Sequence, residues 1–310
     1  VGALTGASIF LSPGHGWYYA AGAWRTQRGV SLGIIEDHSN WEAVCQYLAQ
    51  YLWNAGARVY VVLERDSNTN MRIVETGGPG HTQTGTWTSE NRAGAYNGNH
   101  RYAVTVTGEP TATSTFTPNL PAAGYYSVWA WYRTVSSGQT ATDARIIINH
   151  TGGSTVWSQD QTRDGQTWKY LGTYYFDAGS NPATGSVVIT NQSSVAGQRV
   201  VADAIRFGGG MGDVPDNVSN TISGKPRFEE SGRYYAAFMG KSDWASSDQV
   251  SGMPRYAAWE HESWESGTSV YVAWHSNAGG GTGTETYSYG TGEVAGSSAL
   301  ATATDAPTLA

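Results

Sequence analysis

The sequence feature that most constrains the fold is a change of residue pattern near residue 80 that reverses near residue 213. Between these points, short segments rich in β-branched and aromatic residues are separated by turn residues, and no helical periodicity occurs. Several short strands separated by turns are typical of a β-sandwich. We therefore predict an inserted all-β, jelly-roll-like sandwich over residues 80–213. Its predicted strands are 101–107, 125–132, 144–149, 168–176, 186–191 and 200–207.

The segments on either side of the insertion follow an α/β pattern. A helical spacing of apolar residues begins near Ser39 and Glu42, which have the separation of a capping box, and it ends at Gly56. Apolar segments of strand length flank this helix, and a third one follows the insertion. A strand–helix–strand order with short links predicts parallel strands. The predicted strands are 7–12, 58–63 and 269–274.

Together these patterns predict the fold class as α/β, a mostly parallel sheet with flanking helices plus an inserted β-sandwich. The α/β domain is predicted to be discontinuous, formed by residues 1–78 and 214–290 around the insertion. Residues 291–310 form an Ala/Ser/Thr-rich tail. Such a tail is an expected site of self-assembly if a neighbouring copy orders it.

The composition is typical of an exported protein without a nucleic-acid partner. Charged residues make up only 14% of the chain, its formal net charge is −7, and no run of Lys or Arg offers a basic face. The single cysteine, Cys45, excludes an intrachain disulfide. No apolar run approaches the ~20 residues of a membrane span. Because the chain begins at Val1 instead of Met, we expect a removed signal peptide and a secreted, extracellular or cell-envelope location.

Three side chains suggest a metal site at one edge of the predicted parallel sheet. His15 and His275 each follow a predicted strand, and Glu36 precedes the predicted helix. Ligands in open α/β sheets bind outside the carboxyl ends of the strands. Two imidazoles and a carboxylate leave a fourth position for water, as in catalytic zinc sites. The alternative is a chance placement, since the chain has seven histidines.

The ordered motifs around these residues resemble the zinc-dependent N-acetylmuramoyl-L-alanine amidases, which cleave cell-wall peptidoglycan. The motifs are Ser12-Pro13-Gly14-His15-Gly16, then Glu36, then Trp274-His275-Ser276-Asn277-Ala278. The resemblance covers roughly residues 1–75 and 250–290. It implies that His15, Glu36 and His275 bind Zn²⁺ and that the substrate is peptidoglycan.

The amidases also use a late catalytic Glu as general base, and this sequence departs from that pattern. The last stretch, residues 297–310, is small and polar and includes no Glu with apolar neighbours. Glu285 is the remaining candidate, although it comes too early for the motif, and Glu293 lies in a Gly-rich stretch. The resemblance therefore implies either a shortened chain or a protein with impaired turnover.

The insertion resembles golvesin-type domains, which are β-sandwiches found in carbohydrate-active or surface proteins. The motifs are Gly124-Tyr125-Tyr126-Ser127-Val128 and the closing segment 201–207. An aromatic platform could stack on sugars, although alternate aromatics of a strand more often fill a core. Its candidate members are Trp129, Trp131, Trp157 and Trp168.

Two functions therefore stay open at the level of sequence. One is an exported zinc amidase acting on peptidoglycan, with impaired turnover if the late catalytic Glu is absent. The other is an extracellular structural or assembly protein, or one that binds peptidoglycan or another polysaccharide, which uses the amidase-like part as a scaffold. A carboxylate within reach of a zinc-bound water would favour the enzyme.

Overall fold

The computed structural model describes residues 2–30, 35–64, 68, 70–134, 138–163, 165–209, 215–216, 219–241, 250–264 and 269–276. The predictions for Glu285, Glu293 and the tail 291–310 therefore lie outside the described residues. The chain has two lobes. One is the sandwich, residues 72–209, and the other is the host lobe, which comprises the described residues on either side of it.

The strands, numbered in chain order, are β1 (Ser8–Pro13), β2 (Tyr18–Ala20), β3 (Ala23–Arg25), β4 (Arg58–Val61), β5 (Arg72–Glu75), β6 (His81–Thr84), β7 (Thr88–Asn91), β8 (Asn99–Val104), β9 (Thr113–Phe116), β10 (Gly124–Trp131), β11 (Ala144–His150), β12 (Gly153–Gln159), β13 (Lys169–Phe176), β14 (Ser186–Thr190), β15 (Arg199–Ala202), β16 (Ala204–Phe207) and β17 (Ser269–Trp274). The helices are α1 (Glu36–Trp41), which continues through a π-helical stretch (Glu42–Leu48) into α2 (Ala49–Asn54), then α3 (Gly232–Phe238) and α4 (Gly252–Trp264). Short 3₁₀ turns lie at Tyr96–Gly98 and Arg227–Glu229.

The host lobe is built on a three-stranded sheet in the order β17-β1-β4, with both pairs parallel. All six residues of β1 are buried because it is the central strand and is covered on both faces. On one side, Leu11 packs with Trp41 and Val44 of the long helix. On the other side, Phe10 packs with the aromatic residues of α3 and α4.

The sandwich packs two antiparallel sheets face to face, ordered β13-β10-β16-β5 and β12-β11-β14-β9-β6. Their inner faces share one apolar core, to which Val128 and Phe207 contribute from one sheet and Ile146 and Ile189 from the other. A smaller antiparallel sheet, β15-β8-β7, and a two-stranded hairpin of β2 and β3 complete the set of described sheets. The first strand of the sandwich is β5, so its sheet begins before residue 80.

The predicted fold class, α/β with a mostly parallel sheet and flanking helices, is wrong. The described part of the chain is mostly β, with 39% of its residues in strands and 17% in helices. Four of the five described sheets are antiparallel, and the parallel pairs are confined to the three strands of the host lobe. The error arose because several sandwich strands, such as β6 and β7, are polar and show no apolar alternation that would mark them as strands.

The two lobes share a second aromatic core instead of being joined only by linkers. Trp129 and Tyr170 of the sandwich pack in one cluster with Phe10, Tyr60 and Tyr256 of the host lobe. The backbone N–H of Trp168 donates to the carbonyl of Met239 at 2.9 Å. The sandwich is therefore fixed against the host lobe by buried side chains and by a backbone hydrogen bond. Among the described residues, no helix has the length and apolar character needed to cross a bilayer.

Candidate functional site

The three predicted metal ligands converge at the carboxyl ends of the parallel strands. One ligand atom from each of His15, Glu36 and His275 lies within 4.8 Å of the other two. The imidazole ring centroids of the two histidines are 4.3 Å apart. His15 and Glu36 are buried, and His275 is half-buried.

Strand register explains why the two histidines meet. Pro13 of β1 lies opposite Trp274 of β17, and the N–H of Gly14 donates to the Trp274 carbonyl at 2.9 Å. Each histidine comes within two residues of this paired end. Gly16 adopts φ of +78°, and a Cβ there would lie 2.4 Å from the backbone nitrogen of Ser231. Only glycine fits this turn, which holds His15 at the edge of the sheet.

Glu36 is positioned by the start of the long helix and by its hydrogen bonds. Its Oε1 accepts a hydrogen bond from the N–H of Ser276 at 2.8 Å and lies 3.4 Å from Nδ1 of His275. Its Oε2 lies 3.1 Å from Nε of Arg28. Burial acts to raise the pKa of Glu36, but the contacts with His275, Ser276 and Arg28 outweigh burial and leave the pKa below its ordinary value. Glu36 is therefore held as a carboxylate, the form that binds a metal.

The chemistry of this donor set fits a zinc ion. Imidazole nitrogen and carboxylate oxygen are both zinc ligands, and three protein ligands are the number found in catalytic zinc sites. The expectation that His15, Glu36 and His275 hold Zn²⁺ remains a prediction. The sequence offered no signal for Arg28, which lies in a loop without a recognisable motif, yet it is the cation nearest to Glu36 among the described residues.

The predicted aromatic platform of the sandwich is largely internal. Trp129 and Trp168 are only 1% and 4% exposed and belong to the core shared by the lobes. Trp131 is partly buried against the same core and donates its indole N–H to the Gly94 carbonyl at 3.1 Å. Three of the four candidates therefore serve packing, as expected for alternate aromatics of a strand. Trp157 alone lies beside an open surface cleft.

Two surface features of the sandwich were not predicted. Tyr125 and Tyr175 are a cross-strand pair, 68% and 40% exposed, with ring centroids 5.3 Å apart. A cleft of about 350 Å³ opens where β11 begins and β14 ends. Seven of its nine lining residues have polar side chains, which suits a ligand rich in hydroxyl groups. The lining residues are Thr107, Asp143, Arg145, Val156, Trp157, Ser158, Gln192, Ser193 and Ser194.

Comparison with known proteins identifies the sandwich. Residues 72–209 match the family described as the Golvesin C-terminal domain. A segment of 131 residues, 41% of this chain, is 38% identical to a xanthan lyase from Bacillus sp. (strain GL1). The chain spans only 13% of that relative's length. Neither match is to an amidase, and the family match covers the sandwich.

Solved structures give weaker similarities. A Paenibacillus xanthan lyase aligns over 45% of this chain and 13% of its own, with 33% identity and a TM-score of 0.39. A family 35 carbohydrate-binding module from Clostridium thermocellum aligns over 44% of this chain and 98% of its own, with 18% identity and a TM-score of 0.34. The family match supports a golvesin-type domain over residues 72–209 of this chain.

Proposed function

We propose that this chain is an exported polysaccharide-binding protein whose golvesin-type sandwich contacts the polymer. The observation that carries this proposal is the 38% identity between 131 residues of this chain and part of a xanthan lyase, an enzyme named for a polysaccharide. Because the similarity covers a small part of that enzyme, it supports a shared binding module more than a shared reaction. The polar cleft and the exposed tyrosine pair of the sandwich offer surfaces for sugar hydroxyls and sugar rings.

Binding is tested by native electrophoresis of the intact chain through gels that contain xanthan, a uronate polymer, a neutral glucan or no polymer. We expect at least one polysaccharide to retard the chain relative to a non-binding protein of similar size. Sedimentation with purified peptidoglycan extends the test to an insoluble polymer. Equal mobility in every gel, together with no sedimentation, would refute the proposal.

A second candidate function, metal-dependent hydrolysis of an amide in peptidoglycan, is favoured by the cluster of His15, Glu36 and His275. These side chains would hold a zinc ion, which supplies Lewis acidity and a water of lowered pKa when it is bound. The chain's own contribution is to keep Glu36 ionised through Ser276 and Arg28 and to hold both imidazoles at one edge of the sheet. The Glu285 prediction for a general base remains a prediction, because that residue lies outside the described part of the chain.

The metal proposal is tested by elemental analysis of the purified chain after it has been offered Zn²⁺ and passed through a desalting column. We expect about one zinc per chain, with loss in His15→Ala and in His275→Ala, since each removes a third of the donor set. His150→Ala is the matched control, because His150 is a half-buried histidine of the sandwich. Zinc retained equally by all four proteins would place the metal elsewhere, and no zinc in the parent would rule out the site.

A further inference from the structure

The cleft of the sandwich has a rigid wall formed by the segment after β14. Asn191 is 3% exposed, and its side-chain oxygen accepts hydrogen bonds from the N–H groups of Thr111 and Ala112. Its side-chain nitrogen donates to the Val104 carbonyl at 2.8 Å. The N–H of Ser193 donates to the Val106 carbonyl at 3.0 Å. These bonds fix the position of the cleft wall before any ligand binds, which lowers the entropic cost of binding.

The acidic residue of the cleft is already engaged by this wall. Asp143 accepts a hydrogen bond from the Ser193 hydroxyl at 2.5 Å and another from the N–H of Ser194 at 2.7 Å. Burial acts to raise the pKa of Asp143, but these hydrogen bonds outweigh it and leave the pKa below its ordinary value. Asp143 is therefore an ionised side chain whose two oxygens are bound within the protein, which leaves less of it available to a ligand.

The basic residue of the cleft is not engaged in this way. Arg145 lies on β11 opposite Ser158 of the edge strand β12, and it is half-buried. Its guanidinium makes no hydrogen bond or ion pair with any residue that the structure describes. A guanidinium carries five N–H donors and no acceptor, and its planar fork matches a carboxylate in a bidentate pair. Arg145 is the only Lys or Arg among the lining residues.

We propose that this cleft is a binding site for an acidic sugar unit, a uronate residue of a polysaccharide, whose carboxylate pairs with Arg145. Ser158 and Gln192, which also line the cleft, then contact the sugar hydroxyls. The inference rests on the proposed polysaccharide binding and specifies the ligand class. It accounts for a cleft in which the carboxylate of Asp143 is bound within the protein while the guanidinium of Arg145 has no hydrogen bond or ion pair among the described residues.

The test is calorimetric titration of the intact chain with trigalacturonate and trimannuronate, each compared with its neutral methyl ester. We expect at least one acid to bind tenfold or more tightly than its ester, and to bind more weakly as salt concentration rises. Arg145→Gln should abolish this preference while keeping a polar side chain of similar length. Arg92→Gln is the control, because Arg92 is an exposed arginine of the sandwich outside the cleft and should leave the preference unchanged.

The possible results separate this inference from the proposed function. If polysaccharides retard the chain in gels but the acids bind no better than their esters, the cleft assignment fails and polysaccharide binding stands. The same conclusion follows if Arg145→Gln binds the acids as the parent does. If no polysaccharide and no oligosaccharide binds, both fail. Circular dichroism of Arg145→Gln establishes that any loss of binding does not come from loss of the fold.

Discussion

At the residue scale, the least ordinary ionisable group of the sandwich is Asp203, between β15 and β16. Its side chain is completely buried and accepts a hydrogen bond from the N–H of Tyr96 at 3.0 Å. The pKa of Asp203 is raised to about 8. Burial is the main cause and the charge of Glu75 adds to it, while the hydrogen bond from Tyr96 acts in the opposite direction. The folded protein therefore favours the protonated acid, whereas the unfolded chain ionises near pH 4.

This difference predicts that the sandwich loses stability as the pH rises. Because the folded pKa of Asp203 lies above its unfolded value, the contribution of Asp203 to the free energy of unfolding is complete below about pH 4. That contribution is lost as the pH rises through about 8. We expect Asp203→Asn, which cannot ionise, to become progressively more stable relative to the parent over this range. The measurement is the urea midpoint of both proteins at pH 5, 7 and 9.

The control for Asp203→Asn is Asp177→Asn, which changes an exposed carboxylate of the same lobe. It should leave the pH dependence of stability as in the parent. A stability difference between Asp203→Asn and the parent that is constant from pH 5 to pH 9 would contradict the assignment of a raised pKa to Asp203.

At the scale of single elements, the apolar strands of the host lobe are close to their predicted positions. β1 and β17 are continuous apolar segments bounded by turn or polar residues, and such segments are recognisable without tertiary information. The long helix begins at Glu36, earlier than the predicted cap. Ser39 lies inside it and donates its hydroxyl to the Glu36 carbonyl at 3.2 Å. The capping-box pattern was therefore a chance spacing within a helix.

The sandwich elements were harder to predict for a physical reason. β9 and β12 carry Thr, Ser and Gly. Which of their side chains are buried depends on the neighbouring strands more than on an alternation of apolar and polar residues in their sequence. The segment 200–207 is two strands that pair with different sheets on either side of Asp203. Sheet membership of this kind depends on tertiary pairing, which a local pattern does not encode.

The candidate metal residues were predictable for a different reason. His15 and His275 follow apolar strands, so their common location needed only a parallel pairing in register. Glu36 is buried at the same edge. The contact of Arg28 with Glu36 and the polar cleft of the sandwich depend on loops that carry no periodic signal. Local sequence thus indicated which residues meet at the edge of the sheet but not what surrounds them.

At the scale of the whole molecule, the shared aromatic core makes the two lobes energetically dependent. Trp129 is 1% exposed, and the guanidinium carbon of Arg206 lies 3.6 Å from the centre of its ring. Tyr170 of the sandwich and Tyr60 of the host lobe contact edge to face, with ring centroids 6.3 Å apart. Loss of packing at this core should therefore be transmitted to both lobes.

Trp129→Ala is expected to destabilise the chain by about 3–5 kcal/mol, the usual cost of removing a buried aromatic side chain. Because the core is shared, hydrogen exchange should accelerate both in β4 of the host lobe and in β10 of the sandwich. Val104→Ala is the control, since Val104 is 56% exposed and its truncation should have little effect. Faster exchange confined to the sandwich would show that the lobes unfold independently.

The central claim, that the sandwich binds polysaccharide, is tested most directly by an equilibrium titration of the intact chain with two soluble polysaccharides, one acidic and one neutral. The titration is followed by calorimetry, with and without a zinc chelator. We expect saturable binding that the chelator leaves unchanged, because the cleft and the His15–Glu36–His275 cluster belong to different lobes. The absence of saturable binding, or binding lost with the chelator, would contradict it.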